Sequence, residues 1–162
     1  MATYAKLLGF GVLMTALALT GCGKADSTSA PPPKGGGGKE EPHAHGKGPN
    51  GGVVFDLGKY HAEFTVDHPK KSCTILMVTG DNMDAKPLPV KAEEFTLSLK
   101  ESKTKEGKVV PAMTIKMLPT DAKDGKAATF TGTDPGLGNV ADFEGTVSGL
   151  IDGKPSPGEF KE

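Results

Sequence analysis

At 162 residues the chain has room for one ordinary domain with a modest core, and its 20 acidic and 19 basic residues leave a net charge of −1. Every basic residue is a lysine, so the forked guanidinium that reads phosphates and base edges is missing and nucleic acid is not an expected partner. The 23 Gly and 13 Pro suit a glycine-rich linker joined to a turn-rich β-domain.

Residues 1–21 have the layout of a bacterial secretory signal: Lys6 near the start, an apolar run over 7–19, then small residues. The run is too short to be a membrane-spanning helix. Leu19-Thr20-Gly21-Cys22 resembles the lipobox of bacterial lipoproteins, which implies that Cys22 is acylated and becomes the first mature residue. Acyl chains anchor firmly, at about 0.8 kcal/mol per buried methylene. Gly23 and Lys24, with no Asp after the cysteine, resemble lipoproteins sorted to the outer membrane. The expected location is therefore the cell envelope, on the periplasmic face of that membrane. With Cys22 acylated, Cys73 has no partner for an intramolecular disulfide.

Residues 22–50 form the expected linker. Pro31-Pro32-Pro33 and the glycines at 35–38 sit among Ser, Ala, Lys and Glu, a composition that cannot bury apolar surface. Some 20 such residues span roughly 25 Å on average.

From residue 51 to 162 apolar and polar residues alternate in short runs punctuated by Gly, Pro and Asp, and helical periodicity is hard to find. This predicts an all-β domain, an antiparallel β-sandwich, immunoglobulin-like in outline. Strands are predicted over 53–57, 60–67, 72–79, 95–100, 109–118, 127–132, 146–152 and 154–160. Gly58-Lys59 fits a type II′ hairpin and fixes a register of Leu57 with Tyr60, Asp56 with His61, Phe55 with Ala62, Val54 with Glu63 and Val53 with Phe64. Alternation then puts Phe55, Leu57, Ala62 and Phe64 on the core face and Asp56, His61, Glu63 and Thr65 on the other. Across the next turn, Cys73, Ile75 and Met77 face inward. Thr74, Leu76 and Val78 face outward, an unusually apolar row that implies a cover, a register shifted by one residue or, on the interaction reading, a contact surface. Asp124-Gly125 and Asp152-Gly153 are further hairpin turns. The segment 134–143 is expected to be a crossover with at most one helical turn.

No Gly-x-Ser-x-Gly, His-Glu-x-x-His or phosphate-binding loop is present. Gly136-Leu137-Gly138-Asn139-Val140-Ala141 matches a dinucleotide fingerprint only superficially, because no strand–helix unit surrounds it. An enzyme is not expected. Metal binding is the sharper expectation. His43 and His45 approach the hairpin from the linker, and Asp56, His61 and Glu63 share one hairpin face. Imidazole with carboxylate suits zinc or copper. The competing reading leaves His43 and His45 in solvent and makes Asp56–His61 an ordinary cross-strand pair. On that reading the protein is a structural or interaction lipoprotein with an envelope partner.

Gly48-Pro49-Asn50-Gly51-Gly52, Leu57-Gly58 and Tyr60-His61-Ala62-Glu63-Phe64 together resemble a small β-domain of bacterial lipoproteins. A similar segment occurs near the start of periplasmic adaptor subunits of heavy-metal efflux pumps. The resemblance implies an all-β periplasmic module that handles a transition metal. Where those relatives carry further histidines this chain has Lys47, Asn50 and Val53, and it lacks the long helical hairpin an adaptor needs.

Overall fold

The computed structural model describes residues 45–162. These residues form eleven strands: β1 Val53–Leu57, β2 Tyr60–Asp67, β3 Ser72–Val78, β4 Phe95–Leu99, β5 Ser102–Lys103, β6 Val109–Val110, β7 Met113–Pro119, β8 Thr129–Thr133, β9 Glu144–Ile151, β10 Lys154–Pro155 and β11 Gly158–Lys161. One 3₁₀ turn, Pro135–Gly138, lies in the β8–β9 crossover, capped by the Asp134 side chain accepting from Gly136 N. The first hairpin has the expected register, with Asp56 paired to His61 and Val54 to Glu63. Its turn has φ +63° at Gly58, whereas Lys59 stays at ordinary negative φ, as a type II′ turn requires. At Asp124-Gly125 and Asp152-Gly153 both residues have positive φ, the type I′ arrangement that Asp-Gly favours.

The architecture corrects the expected sandwich, immunoglobulin-like or otherwise. The strands run β9-β11-β1-β2-β3-β8-β7-β4, and β4 pairs again with β9, closing an eight-stranded antiparallel barrel. β10 continues the line of β11 along β9, interrupted at Ser156, whose N–H donates to Gly149 O. A barrel and a sandwich ask for the same alternation of inward and outward residues. What distinguishes them is whether the edges meet, and this depends on pairings between segments far apart in sequence. Small residues permit that meeting. A Cβ on Gly149 would lie 2.5 Å from the Phe95 ring, and one on Gly158 would lie 2.4 Å from the Asp56 carbonyl oxygen.

The barrel is filled rather than hollow. Phe160 stacks between Phe55 and Phe64, with ring centroids at 5.3 and 4.3 Å, and Phe95 meets Phe130 at 4.5 Å. Phe143, Leu57, Ile75, Met77, Leu97, Met117, Leu137 and Ile151 are fully buried as well. Each such side chain contributes about 1.5–3 kcal/mol relative to exposure. Cys73, Ile75 and Met77 face inward as expected. On the outward row Thr74 and Leu76 are half-buried, and Val78 is buried even though it stands opposite His61 on the outward face.

Candidate metal centre

The first hairpin and the segment before it build the site. From Lys47 the chain doubles back beside β1, with Lys47 bridged to Val53, Gly48 N donating to Gly52 O and Gly51 N to Gly48 O. Gly51 takes φ +79°, which that tight turn requires. The loop lies on the outward face of β2 directly over Glu63. The Glu63 carboxylate is fully buried and accepts three N–H groups at 2.8 Å each, from Asn50 N, Asn50 Nδ2 and Gly52 N. Such charge-assisted bonds are worth about 1.5–3 kcal/mol apiece, which offsets taking the carboxylate out of water. The approach is so close that a Cβ on Gly48 would fall 2.5 Å from Glu63 Cδ, and one on Gly52 would fall 2.1 Å from Phe64 O.

Two residues ahead of Lys47, His45 reaches the outward face at the Asp56–His61 pair. His45 Nε2 donates to Asp56 Oδ2 at 3.3 Å, and His61 Nδ1 stands 3.1 Å from Asp56 Oδ1. The second contact is close but misaligned for a hydrogen bond, so His61 Nδ1 is buried without a partner. His45 Nδ1 is likewise buried and unpartnered. In a neutral ring with Nε2 donating, that nitrogen carries a bare lone pair. The two imidazoles meet edge-on, with centroids 5.6 Å apart and planes at 65°. One ligand atom from each of His45, Asp56 and His61 lies within 4.8 Å of the others.

Of the residues singled out in the sequence, the structure thus brings His45, Asp56 and His61 together. Glu63 is turned to the loop, with both carboxylate oxygens occupied. His43 and Cys22 lie outside the described residues. His68 is elsewhere, its Nδ1 donating to the Leu137 carbonyl at 2.8 Å, which ties the β2–β3 turn to the 3₁₀ turn. No family model, curated protein or solved structure matches the chain. The site therefore has to be judged on its own geometry.

That geometry suits a borderline ion. Tetrahedral zinc with bonds of 2.0–2.1 Å separates neighbouring ligand atoms by about 3.3 Å; His45 Nε2 and His61 Nδ1 come within 3.3 and 3.1 Å of different oxygens of Asp56, and one ligand atom from each residue lies within 4.8 Å of the others, so the three side chains must draw together to share an ion. Two nitrogens and one oxygen leave at least one coordination position open. A surface depression of about 510 Å³ runs past His45 between Lys47, Gly52 and the C-terminal Lys161 and Glu162. Neither Asp56 nor His61 lines it, so it flanks the cluster and is not the site itself.

The role of the Lys47–Gly52 loop does not follow from strand alternation. Alternation places Glu63 on one face with His61 and so suggests a ligand. The available signal was the run Gly48-Pro49-Asn50-Gly51-Gly52, which has too little side chain to stand away from a sheet and instead offers backbone N–H groups.

Cys73 contributes no reactive thiolate. Its Sγ lies 3.6 Å from Met117 Sδ inside the barrel, and burial pushes the thiol up to about 12.

Proposed function

We propose that this protein is a non-enzymatic, lipid-anchored module of the bacterial cell envelope that binds a transition metal, zinc or copper, through His45, Asp56 and His61. The observation carrying the reading is the convergence of two imidazoles and a carboxylate from three separate segments, with His61 Nδ1 buried and facing Asp56 Oδ1 at 3.1 Å without a hydrogen bond to it. Buried polar atoms without partners are uncommon and call for a reason; a bound ion supplies one. The resemblance of the Gly48–Gly52 and Tyr60–Phe64 stretches to metal-handling envelope domains points the same way. The competing reading, a contact surface along the outward row of β3, finds less support because Val78 is 1% exposed and offers no open apolar stripe.

Calorimetric titration of the full chain in detergent with Zn(II) and Cu(II) tests the metal. Saturable one-to-one binding is expected, weakened at least about tenfold by His45→Ala or His61→Ala, since each removes one of three ligands. Equal affinity in the wild type and both variants rules the site out. For the anchor, the expected result is that wild-type protein partitions into detergent on phase separation whereas Cys22→Ser stays aqueous or unprocessed; identical partitioning and processing would refute acylation at Cys22.

A further inference from the structure

Glu63 is the most completely enclosed charged group on the outward face, and the proposed ligand set makes no use of it. Its carboxylate gathers Asn50 N, Asn50 Nδ2 and Gly52 N. The loop it holds is braced internally by Gly48 N to Gly52 O and by the Lys47–Val53 bridge. Glu63 is two residues from His61 on one strand face, so the anchored loop ends beside the Asp56–His61 pair. His45, two residues before the bridged Lys47, emerges there.

A histidine on a free linker would lose conformational entropy each time it closed on an ion, and that loss weakens binding. A histidine on a braced loop has lost it already, at folding. Resting on the metal reading above, we propose that Glu63 is the positioning residue of the site: its carboxylate fixes the Lys47–Gly52 loop so that His45 is offered to the ion pre-ordered. It touches no ion itself. Residues that orient ligands are typically worth 10–100-fold in metal affinity.

The test is a Cu(II) titration of the full chain, read by affinity and by the number of imidazole nitrogens coupled in the electron paramagnetic resonance spectrum. It compares wild type, Glu63→Gln, His45→Ala and the Glu63→Gln/His45→Ala double variant. Glutamine keeps the volume but turns an amide donor toward the loop's N–H donors, so the clamp opens. The expected result is two coupled nitrogens in wild type, one in Glu63→Gln, and an affinity loss of at least about tenfold for Glu63→Gln. In the His45→Ala background Glu63→Gln should cost nothing more, because its effect is exerted through His45. A residue that merely stabilised the barrel would lower affinity equally in both backgrounds.

Two coupled nitrogens with wild-type affinity in Glu63→Gln would overturn the proposal, as would an undiminished effect of Glu63→Gln in the His45→Ala background. If wild type binds no Cu(II), the same affinity comparison is made with Zn(II), and absence of both would overturn the proposal together with the metal reading, whereas the first two outcomes leave the metal reading standing. If Glu63→Gln does not fold, Asn50→Ala decides. That exposed residue gives the clamp a single side-chain bond, and its loss should weaken binding a few-fold only while His45 is present.

Discussion

At the scale of single residues, identical chemistry has been put to different ends by burial. Glu63 and Asp56 are carboxylates on one hairpin face, yet Glu63 is enclosed by N–H donors while Asp56 is left part-exposed between two imidazoles. Alternation along the strands gave their common face. It could not tell them apart, because the difference comes from a loop that crosses one and stops short of the other. Cys73 was legible, since its neighbours at the same period are Ile75 and Met77, and it lies in the core with them. Its burial leads to a pH dependence. The folded-state value is raised from 9.0 to about 12 by desolvation, so the native state keeps the proton after the unfolded chain has lost it. The stability this group contributes is whole below about pH 9 and declines as pH rises toward about 12. In urea unfolding at pH 8 and pH 10.5, Cys73→Ala should lose less stability between the two pH values than wild type, although it is less stable at both. The native thiol should also resist a thiol reagent at pH 8 and react once urea is added. Rapid labelling of the native protein, or parallel alkaline losses in the two proteins, would contradict this.

At the scale of elements, strong local turn chemistry makes strand limits legible in the sequence. β1 and β2 fall at their expected limits because Gly58 supplies the positive φ of a two-residue turn. The expected strand over 109–118 is instead two, Val109–Val110 and Met113–Pro119, broken at Pro111, which has no N–H for the ladder. The last expected strand, 154–160, is likewise divided, into Lys154–Pro155 and Gly158–Lys161, around Ser156-Pro157. Prolines in runs of correct alternation thus mark interruptions that periodicity alone passes over. The short pair Ser102–Lys103 with Val109–Val110 carries too few residues to show a period. The loop over Glu63 is a similar case. It has no period of its own, and what organises it is a partner eleven to thirteen residues away.

At the scale of the whole molecule, the sandwich expectation went wrong for a reason visible in the barrel. The ladder between β2 and β3 runs from His61–Val78 to Asp67–Ser72 without a break. By contrast β1 joins β11 only at Leu57–Gly158, supported by Gly58 N to Pro157 O, and β7 joins β8 only at Leu118–Thr131 and Pro119–Phe130. These two thin seams divide the ring of strands into two runs of four, β1-β2-β3-β8 and β7-β4-β9-β11. The barrel differs from the expected sandwich in the pairings that close it, and strand alternation alone does not reveal them. Local opening follows the weakest set of backbone bonds, whereas the most protected amides exchange only through global unfolding. Native-state hydrogen exchange should therefore show the Gly58 amide, at the β1–β11 seam, and the Thr120 amide, bonded to Thr129 O beside the β7–β8 seam, exchanging well before Phe64 and Ile75 in the β2–β3 ladder. Saturating zinc or copper should slow exchange around His45, Asp56 and His61, in the first hairpin and the segment before it, and leave both seams unchanged. Uniform protection around the barrel would mean that the seams are as strong as the ladders and that closure is cooperative. Slowing at the seams on metal addition would mean that the ion fastens the two runs together, a role that a site confined to the first hairpin and its loop does not predict.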